Sequence, residues 1–448
     1  MVAVLGVALT SSLLAGCSSG TTETSQAQSD ASQASETAGQ EESSAAEGSE
    51  EPVTITIWYE GNDTREPFFD AIEAEMQKDY PNYSIETVTF DNNTLTSKGL
   101  QAITATGGVD LIYNEATRLL QMNLQSGGAF TELDDVLAEA ENNEVVTESD
   151  LKLTKQNGSL MVFPTNRSLA GLGVKLDVPG VEVTEDKMPT DWEKFVALGK
   201  EYQTAGLNGF TMHLGTDPGQ VFNLFMIGSG MSDIWLNSVP ESQIAKKQSY
   251  FEDIVSLYAG PDAFWDKDAV NEDFATMYTK IQSSSVGMFR VGNWNAGGWD
   301  AADSGVGEYT VTTWPSLDGQ SEGGLVLSGV RGFALADNAP NPEAAKTFLK
   351  YALTEEAQKA SFEVFGSCVD VSVVDQNSLT PNQKIFFDPN VPIYAFDTYS
   401  SDIEYYPALL EVYEKGLLNA FSATSEEGIS EAITQLDADV NQAIEMNK

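Results

Sequence analysis

The sequence predicts an α/β fold on three observations. A run of alternating β-branched and aromatic residues, Val53–Tyr59, opens the part of the chain that can fold, and it has the period of a strand. Strand-like and helix-like segments then alternate as far as Gly127-Gly128, which suits a parallel sheet with crossover helices. The 396 residues from Val53 to Lys448 are enough for two domains rather than one.

Taken in order, Gly61-Asn62-Asp63 ends the first strand as a turn. Phe68, Phe69, Ile72 and Met76 recur at helical spacing until Pro81 stops the pattern. A second strand is expected near Ser84–Phe90, then a helix near Leu95–Ala105 that Gly107-Gly108 breaks. Val109–Tyr113 reads as a third strand, and Thr117–Gln125 as a helix closed by Gly127-Gly128. Further on, Thr190–Glu193 has the form of a capping box. It opens a helix with Trp192, Phe195 and Tyr202 on its buried stripe and Gly206 at its end. Asn341-Pro342 starts another, with Asn as cap, running to Leu353. Ile429, Ile433, Leu436, Val440 and Ile444 form the core-facing stripe of a long last helix. Trp58, beside Ile55 and Ile57, and Trp192 are assigned to the core; Trp235, Trp265 and Trp314 are left unassigned.

The segment before Val53 has a different character. An apolar run from Val2 ends in Leu14-Ala15-Gly16-Cys17, the pattern that closes a lipoprotein signal peptide. It is shorter than the roughly 20 residues that span a bilayer. Cleavage before Cys17 would leave a lipidated N-terminal cysteine on an exported chain. No Lys or Arg precedes the run, so the true start is expected upstream of Met1. From Ser18 to Pro52 the chain contains no aromatic, no aliphatic larger than Ala and no base. Such a segment cannot offset its own chain entropy and is expected to be a disordered tether, roughly 30–35 Å in root-mean-square span.

The formal charge is −45, from 68 acidic and 23 basic residues. Eight of the acids lie in the tether, so the rest still carries −37. That field repels nucleic acid and anionic lipid surfaces, so no nucleic-acid partner is expected, and no membrane contact beyond the lipid. With Cys17 lipidated, Cys368 stands alone and no disulfide can form. His213 is the only histidine, which removes His-based triads and multi-histidine metal centres; it is read as a hydrogen-bonding or core residue. No nucleophile elbow or phosphate-binding loop occurs. Asp266-Lys267-Asp268 begins like a calcium loop, but Val270 and the missing glycine at the sixth position defeat it. No metal and no cofactor is expected. Carboxylate pairs for glycoside hydrolysis stay open, since some pair among many acids always lies close.

What remains is polar turns and aromatics where strands end. Ligands of open parallel sheets bind beyond the carboxyl ends of the strands. Three such turns are Glu60-Gly61-Asn62-Asp63, Asn114-Glu115, and Asn166-Arg167 after the Leu160–Pro164 run. A fourth element, Val291–Trp299, sets Asn293, Trp294 and Trp299 among glycines. Uncovered indole faces suit the apolar face of a sugar ring, with hydroxyls meeting Asn, Asp, Glu and Arg around it. The alternative is that either indole plugs the core beneath a loop.

Six segments, in order, resemble the family 1 extracellular solute-binding proteins of ABC importers. They are Ile55–Asp63, Gly107–Ile112 (with Val109 where Pro is usual), Gly127–Leu133, Met188–Glu193, Val286–Trp294 and Asn341–Phe348. The resemblance implies a two-lobed periplasmic-binding-protein-like (type 2) fold with three hinge crossovers, near Asn166–Leu169, Leu327–Arg331 and Gly366–Val371. The first lobe would be residues 53–165 with 332–365, and the second 170–326 with 372–448. By the same resemblance Trp294 is the stacking tryptophan, Arg118 is a cleft arginine that holds hydroxyls, and Asn62 with Asp63 forms the polar turn after the first strand; Arg331, at the second crossover, is counted among the ligand-binding residues. Asn114 stands where maltodextrin-binding members carry an aromatic. The implied function is a monomeric, lipid-anchored receptor on the outer face of the cell membrane. It would take a carbohydrate, most simply an oligosaccharide, to an ABC permease without breaking a bond. The rivals are a surface-anchored carbohydrate-active hydrolase, the same receptor with a non-sugar solute, and an adhesin or scaffold.

Overall fold

A computed structural model describes residues 51–61, 63–215, 219–230, 241–261, 263–319, 322–395 and 406–447. The expectations for Cys17, the tether as far as Glu50, Asn62 and Trp235 fall outside the described residues.

The strands, in chain order, are β1 (Val53–Glu60), β2 (Tyr83–Phe90), β3 (Leu111–Glu115), the short pair β4 (Lys155–Gln156) and β5 (Ser159–Leu160), and β6 (Phe163–Lys175). They continue with β7 (Asn208–Thr211), β8 (Val286–Gly292), β9 (Tyr309–Thr312), β10 (Leu325–Leu335) and β11 (Ile393–Ala395). The helices are α1 (Glu66–Met76), α2 (Asn92–Gln101), α3 (Ala116–Ser126), α4 (Asp134–Glu139), α5 (Glu148–Thr154), α6 (Trp192–Thr204) and α7 (Gly219–Gly228). After them come α8 (Glu241–Ala259), α9 (Phe274–Gln282), α10 (Asn293–Trp299), α11 (Pro342–Lys350), α12 (Glu355–Phe365), α13 (Tyr406–Phe421) and α14 (Glu426–Asn447).

The main sheet runs β2-β1-β3-β10-β6-β8-β7, with β11 beside β10 and β9 beside β6. The parallel pairs expected of crossover helices are present: β1 with β2, β1 with β3, and β7 with β8. The sheet as a whole is mixed, because β10 lies antiparallel to both β3 and β6. Strand β6 is long enough to serve two cores. Phe163 at its start packs with Ile55, Ile57, Tyr59, Phe68 and Phe333, while Leu169 to Val174 pack with Phe195, Trp314 and the stripe of α14. Strand β10 runs back the same way, from Leu325 in the second core to Phe333 and Leu335 in the first.

Local sequence accounts for most elements. On β1 the alternate residues Ile55, Ile57 and Tyr59 are fully buried, as a period of two requires. Trp58 has the opposite parity and packs half-buried on Phe90, with ring centroids 5.1 Å apart, lining the core on the other face of the strand. In the first core Phe69 meets Tyr113 edge-on at 5.3 Å, and Tyr113 lies 4.8 Å from Phe333. Each ring fully removed from water contributes about 1.5–3 kcal/mol against chain entropy. Trp265 and Trp314 are also fully buried.

Three local expectations are corrected. The cap of α6 is Asp191, whose carboxylate accepts from the Lys194 amide, not Thr190; a carboxylate is at least as good an N-cap as a hydroxyl. Asn341 precedes α11 without capping it, because its side chain donates to the Thr54 carbonyl instead, and the helix stops at Lys350. Asn166 and Arg167 do not form a turn. They lie within β6, where a strand continuing into the second core leaves no room for one.

The would-be calcium loop carries its own cation. Asp266, Asp268 and Glu272 bring oxygens within 4.8 Å of one another. The Lys280 ammonium sits among them, 2.7 Å from Asp266 and 3.2 Å from Asp268, and it also pairs with Glu272. This loop receives the Leu214 and Gly215 amides at the carbonyls of Ala269 and Glu272, so it braces the segment that follows β7. Lys280→Met should lower the unfolding free energy by about 3 kcal/mol, the usual cost of stripping one partner from a buried ion pair, as read from urea denaturation.

Candidate functional site

Two groups of side chains gather where strands end. The first belongs to β1, β3 and β10. Arg331 lies opposite Glu115 of β3 and opposite Asn166 of β6 in the ladder. A register shift in the β6–β10 pair falls between Arg331 and Gly332, and bulges of this kind re-aim a side chain. The guanidinium donates to Glu60 Oε2 at 2.7 Å and Glu115 Oε1 at 3.3 Å, and it lies 5.7 Å over the Tyr113 ring. Arg65, from the turn Asp63–Arg65, donates to the same Glu60 oxygen at 2.7 Å and also to the Glu60 carbonyl. Burial opposes the Glu60 charge, yet Arg331 and Arg65 together hold its carboxyl below the ordinary range. Gly61 has φ +133°, a conformation that side-chain-bearing residues rarely adopt, and it lets the Arg65 guanidinium lie close over the turn. Asn114 is fully buried; it donates to Asn92 Oδ1 at 3.1 Å and accepts from the Glu115 amide at 2.8 Å. Glu60, Asn114, Glu115 and Arg331 are thus brought together as the sequence suggested.

The second group belongs to β8, α9 and α10. Trp294, half-buried, donates through Nε1 to the Tyr278 hydroxyl at 3.2 Å. The Arg290 guanidinium lies 5.0 Å from the Trp294 ring and 5.1 Å from that of Phe274, close enough for cation–π attraction. Phe274 is 36 % exposed, which is unusual for a phenyl ring. Gly292 lets the indole lie directly on β8, because a Cβ there would fall inside the Trp294 ring system. Against Phe274, on the protein side, lies His213, with ring centroids 4.0 Å apart. His213 is 0 % exposed and neither of its ring nitrogens has a hydrogen-bond partner among the described residues. Burial, with the positive Arg290 alongside, pushes its pKa down to about 3, so the imidazole is neutral.

The remaining expected residues lie elsewhere or are committed. Trp299 is 6 % exposed, enclosed by Tyr278, Phe289 and Tyr309. The glycine-rich run folds as α10, which turns this indole inward. Asn293 accepts from the Leu169 amide at 3.2 Å and donates to the Arg167 carbonyl at 2.9 Å, so its amide pins α10 to β6. The Ser367 hydroxyl donates to that same carbonyl. Asn166 donates to the Tyr113 hydroxyl at 3.0 Å. Arg167 grips Asp150 with two bonds of 2.8 and 2.7 Å, a bidentate pair on a fully buried carboxylate. Arg118 is exposed in the first turn of α3 and has no ion pair among the described residues. Arg65, Phe274, Tyr278 and Arg290 were not anticipated. Their signals were a cation five residues after Glu60, aromatics four apart on one helix, and a charge inside the apolar run Val286–Val291.

A family model for bacterial extracellular solute-binding proteins matches residues 61–359. The chain belongs to that family. Several solved structures share the fold of this solute-binding protein. The GacH receptor of Streptomyces glaucescens GLA.O, solved unliganded and with acarbose and an acarbose homologue, superposes with a TM-score of 0.69 at 17 % identity. That match covers 89 % of this chain and 100 % of the receptor. The cyclic α-maltosyl-1,6-maltose binding protein of Arthrobacter globiformis gives 0.68 at 16 % identity, covering 88 % and 99 %. Maltose-bound T. maritima MalE3 gives 0.66 at 14 % identity, covering 87 % and 99 %. A search of curated protein sequences finds no significant match. The solute-binding protein is therefore α/β and two-lobed, as these structures are. No helix among its described residues is long and apolar enough to cross a membrane.

Two predictions follow from the committed side chains. Arg167→Ala leaves Asp150 charged and buried, and should cost about 3 kcal/mol in unfolding free energy, measured in urea. His213 has an ordinary value of 6.5 and a folded value of about 3. Between those values the unfolded chain binds the proton and the folded one does not, so stability falls as pH drops from 6.5 towards 3. In His213→Phe that contribution is gone. Its urea midpoint should gain on the wild type progressively across the same interval.

Proposed function

We propose that this solute-binding protein captures a carbohydrate, most simply an oligosaccharide, between its lobes and presents it to an ABC permease. The observation that carries this reading is the half-buried Trp294 beside exposed Phe274, in one chain with a fence of fixed donors and acceptors at Glu60, Glu115 and Arg331, backed by the fully buried Asn114. An aromatic floor with a polar fence matches a ring that has an apolar face and an equatorial rim of hydroxyls. The sugars named with the three similar structures, acarbose, a cyclic maltosyl-maltose and maltose, support the same class.

In this reading the lobes are residues 53–165 with 332–365, and 170–326 with 372–448, hinged near 166–169, 327–331 and 366–371. The ligand touches both lobes only when they close, so binding shifts the population towards the closed form. Lipid on Cys17 holds the monomeric receptor at the outer face of the membrane, and residues 18–52 give it reach. No bond is broken. A glycosidase needs a carboxyl kept protonated by its surroundings, whereas the two arginines on Glu60 favour its charged form.

The test is isothermal titration against a panel of maltotriose, cellotriose, xylotriose and raffinose, with a tripeptide and a polyol as controls. At least one sugar should bind without product forming. Binding of a control alone, or hydrolysis of a sugar, would overturn the reading. Trp294→Ala should weaken the sugar that binds by about tenfold or more, equivalent to about 1.4 kcal/mol, with little change in melting temperature.

A further inference from the structure

We propose that His213 is a specificity-determining residue of the second group, making hydrogen bonds to ligand hydroxyls once Phe274 turns aside. The proposal rests on the carbohydrate reading above and deepens it.

Three observations carry it. First, both imidazole nitrogens are enclosed by protein and have no hydrogen-bond partner among the described residues. A buried polar group left unpaired costs about as much as a good hydrogen bond yields, so such groups are rare where they have no use. The Thr211 hydroxyl, on the last residue of β7, is also fully buried and unpaired. The unmet demand therefore extends along this strand end.

Second, the position is continuous with the aromatic floor. The His213 ring lies 4.0 Å from that of Phe274. Phe274 shares the Arg290 guanidinium with Trp294, and Tyr278 links to Trp294 through its hydroxyl. The carboxyl ends of β7 and β8 lie side by side in parallel register, Thr211 beside Phe289. His213 and Gly292 are therefore at the same edge of the sheet.

Third, the cover can move. Phe274 is the first residue of α9, capped by Asp273, and more than a third of it faces water. A rotation about its side-chain bonds breaks no hydrogen bond, gives up the Arg290 contact, and would bare the face of the imidazole that Phe274 covers. Neutral imidazole offers one donor and one acceptor, and a hydroxyl is both. The two nitrogens point in nearly opposite directions, so one ligand hydroxyl pairs with one of them and a second, well separated on an oligosaccharide, with the other; a deoxy sugar lacking the paired hydroxyl, or an apolar solute, leaves that nitrogen unmet. Discrimination by unpaired polar groups of this kind is steep.

Because the chain has one histidine, histidine-selective 15N labelling gives a single imidazole to observe. The same panel is titrated into labelled protein while long-range 1H–15N correlations are recorded, and His213→Leu and His213→Asn are titrated by calorimetry. The expected result is that the panel sugar that binds shifts the imidazole nitrogen resonances. His213→Leu should then lose about tenfold or more in affinity while melting no lower than the wild type. His213→Asn, which keeps a donor and an acceptor, should lose less. A purely structural histidine would give the opposite pattern, with stability lost and affinity kept. A sugar that binds while the imidazole resonances stay still, or equal affinity in His213→Leu, overturns the assignment and leaves the carbohydrate reading standing. If no panel sugar binds the wild type, both fall together.

Discussion

Strands β6 and β10 lie side by side from one hydrophobic core into the other, and every candidate site residue is placed by reference to them. Their ladder runs from Val326 opposite Ala170 to Phe333 opposite Phe163. An antiparallel ladder resists shear, because sliding it by one residue would turn every buried side chain outward. Yet this ladder is interrupted twice, between Leu327 and Gly329 and between Arg331 and Gly332. Beyond the second irregularity the strand serves both cores in alternation, Phe333 and Leu335 facing one and Ala334 and Ala336 the other. The Ser328 hydroxyl fills the gap in pairing by donating to the Ser168 carbonyl at 2.9 Å. Bending the pair there would break few backbone hydrogen bonds, which is what the proposed hinge near 166–169 and 327–331 requires.

Side chains add to the same junction. Arg331 leaves the second interruption to reach Glu60 and Glu115, while Asn293 and Ser367 both donate to the Arg167 carbonyl. One backbone carbonyl therefore gathers α10, which bears Trp294, and the segment after α12. Any change in the angle between β6 and α10 must be accommodated at that oxygen. The aromatic group and the strand crossing are mechanically adjacent, which is what a receptor needs if its ligand is to bias its shape.

Much of this was legible in the sequence, and the limits have physical causes. Periodicity found β1, α1 and the stripe of α14, because one face of each is buried and the opposite face is not. It placed β3 two residues early, since Val109 and Asp110 look like strand but the ladder with β1 starts at Leu111. Glu60, Asn114 and Glu115 stood out as polar residues at strand ends. Arg167 and Asn293 stood out for the same reason, but one holds the buried Asp150 and the other the β6 backbone. A sequence does not show which polar side chain is already engaged by the protein. Trp299 went inward because α10 is helical, and a glycine-rich run with two tryptophans does not look like a helix. Phe274 and Tyr278 were hidden in an ordinary amphipathic pattern, whose exposed face became part of the candidate site.

The lysine inside the carboxylate loop has a wider consequence. Many extracellular domains stabilise such a turn with a captured divalent ion, which ties their folding to the mineral content of the medium. Here the positive charge arrives on the same polypeptide, four carbons from its own backbone, and is present as soon as the helix that bears it has formed. The brace behind β7 therefore has a positive charge of its own, whether or not a divalent ion is at hand. What it gives up is adjustability, since a tethered ammonium cannot be exchanged, withdrawn or used as a signal.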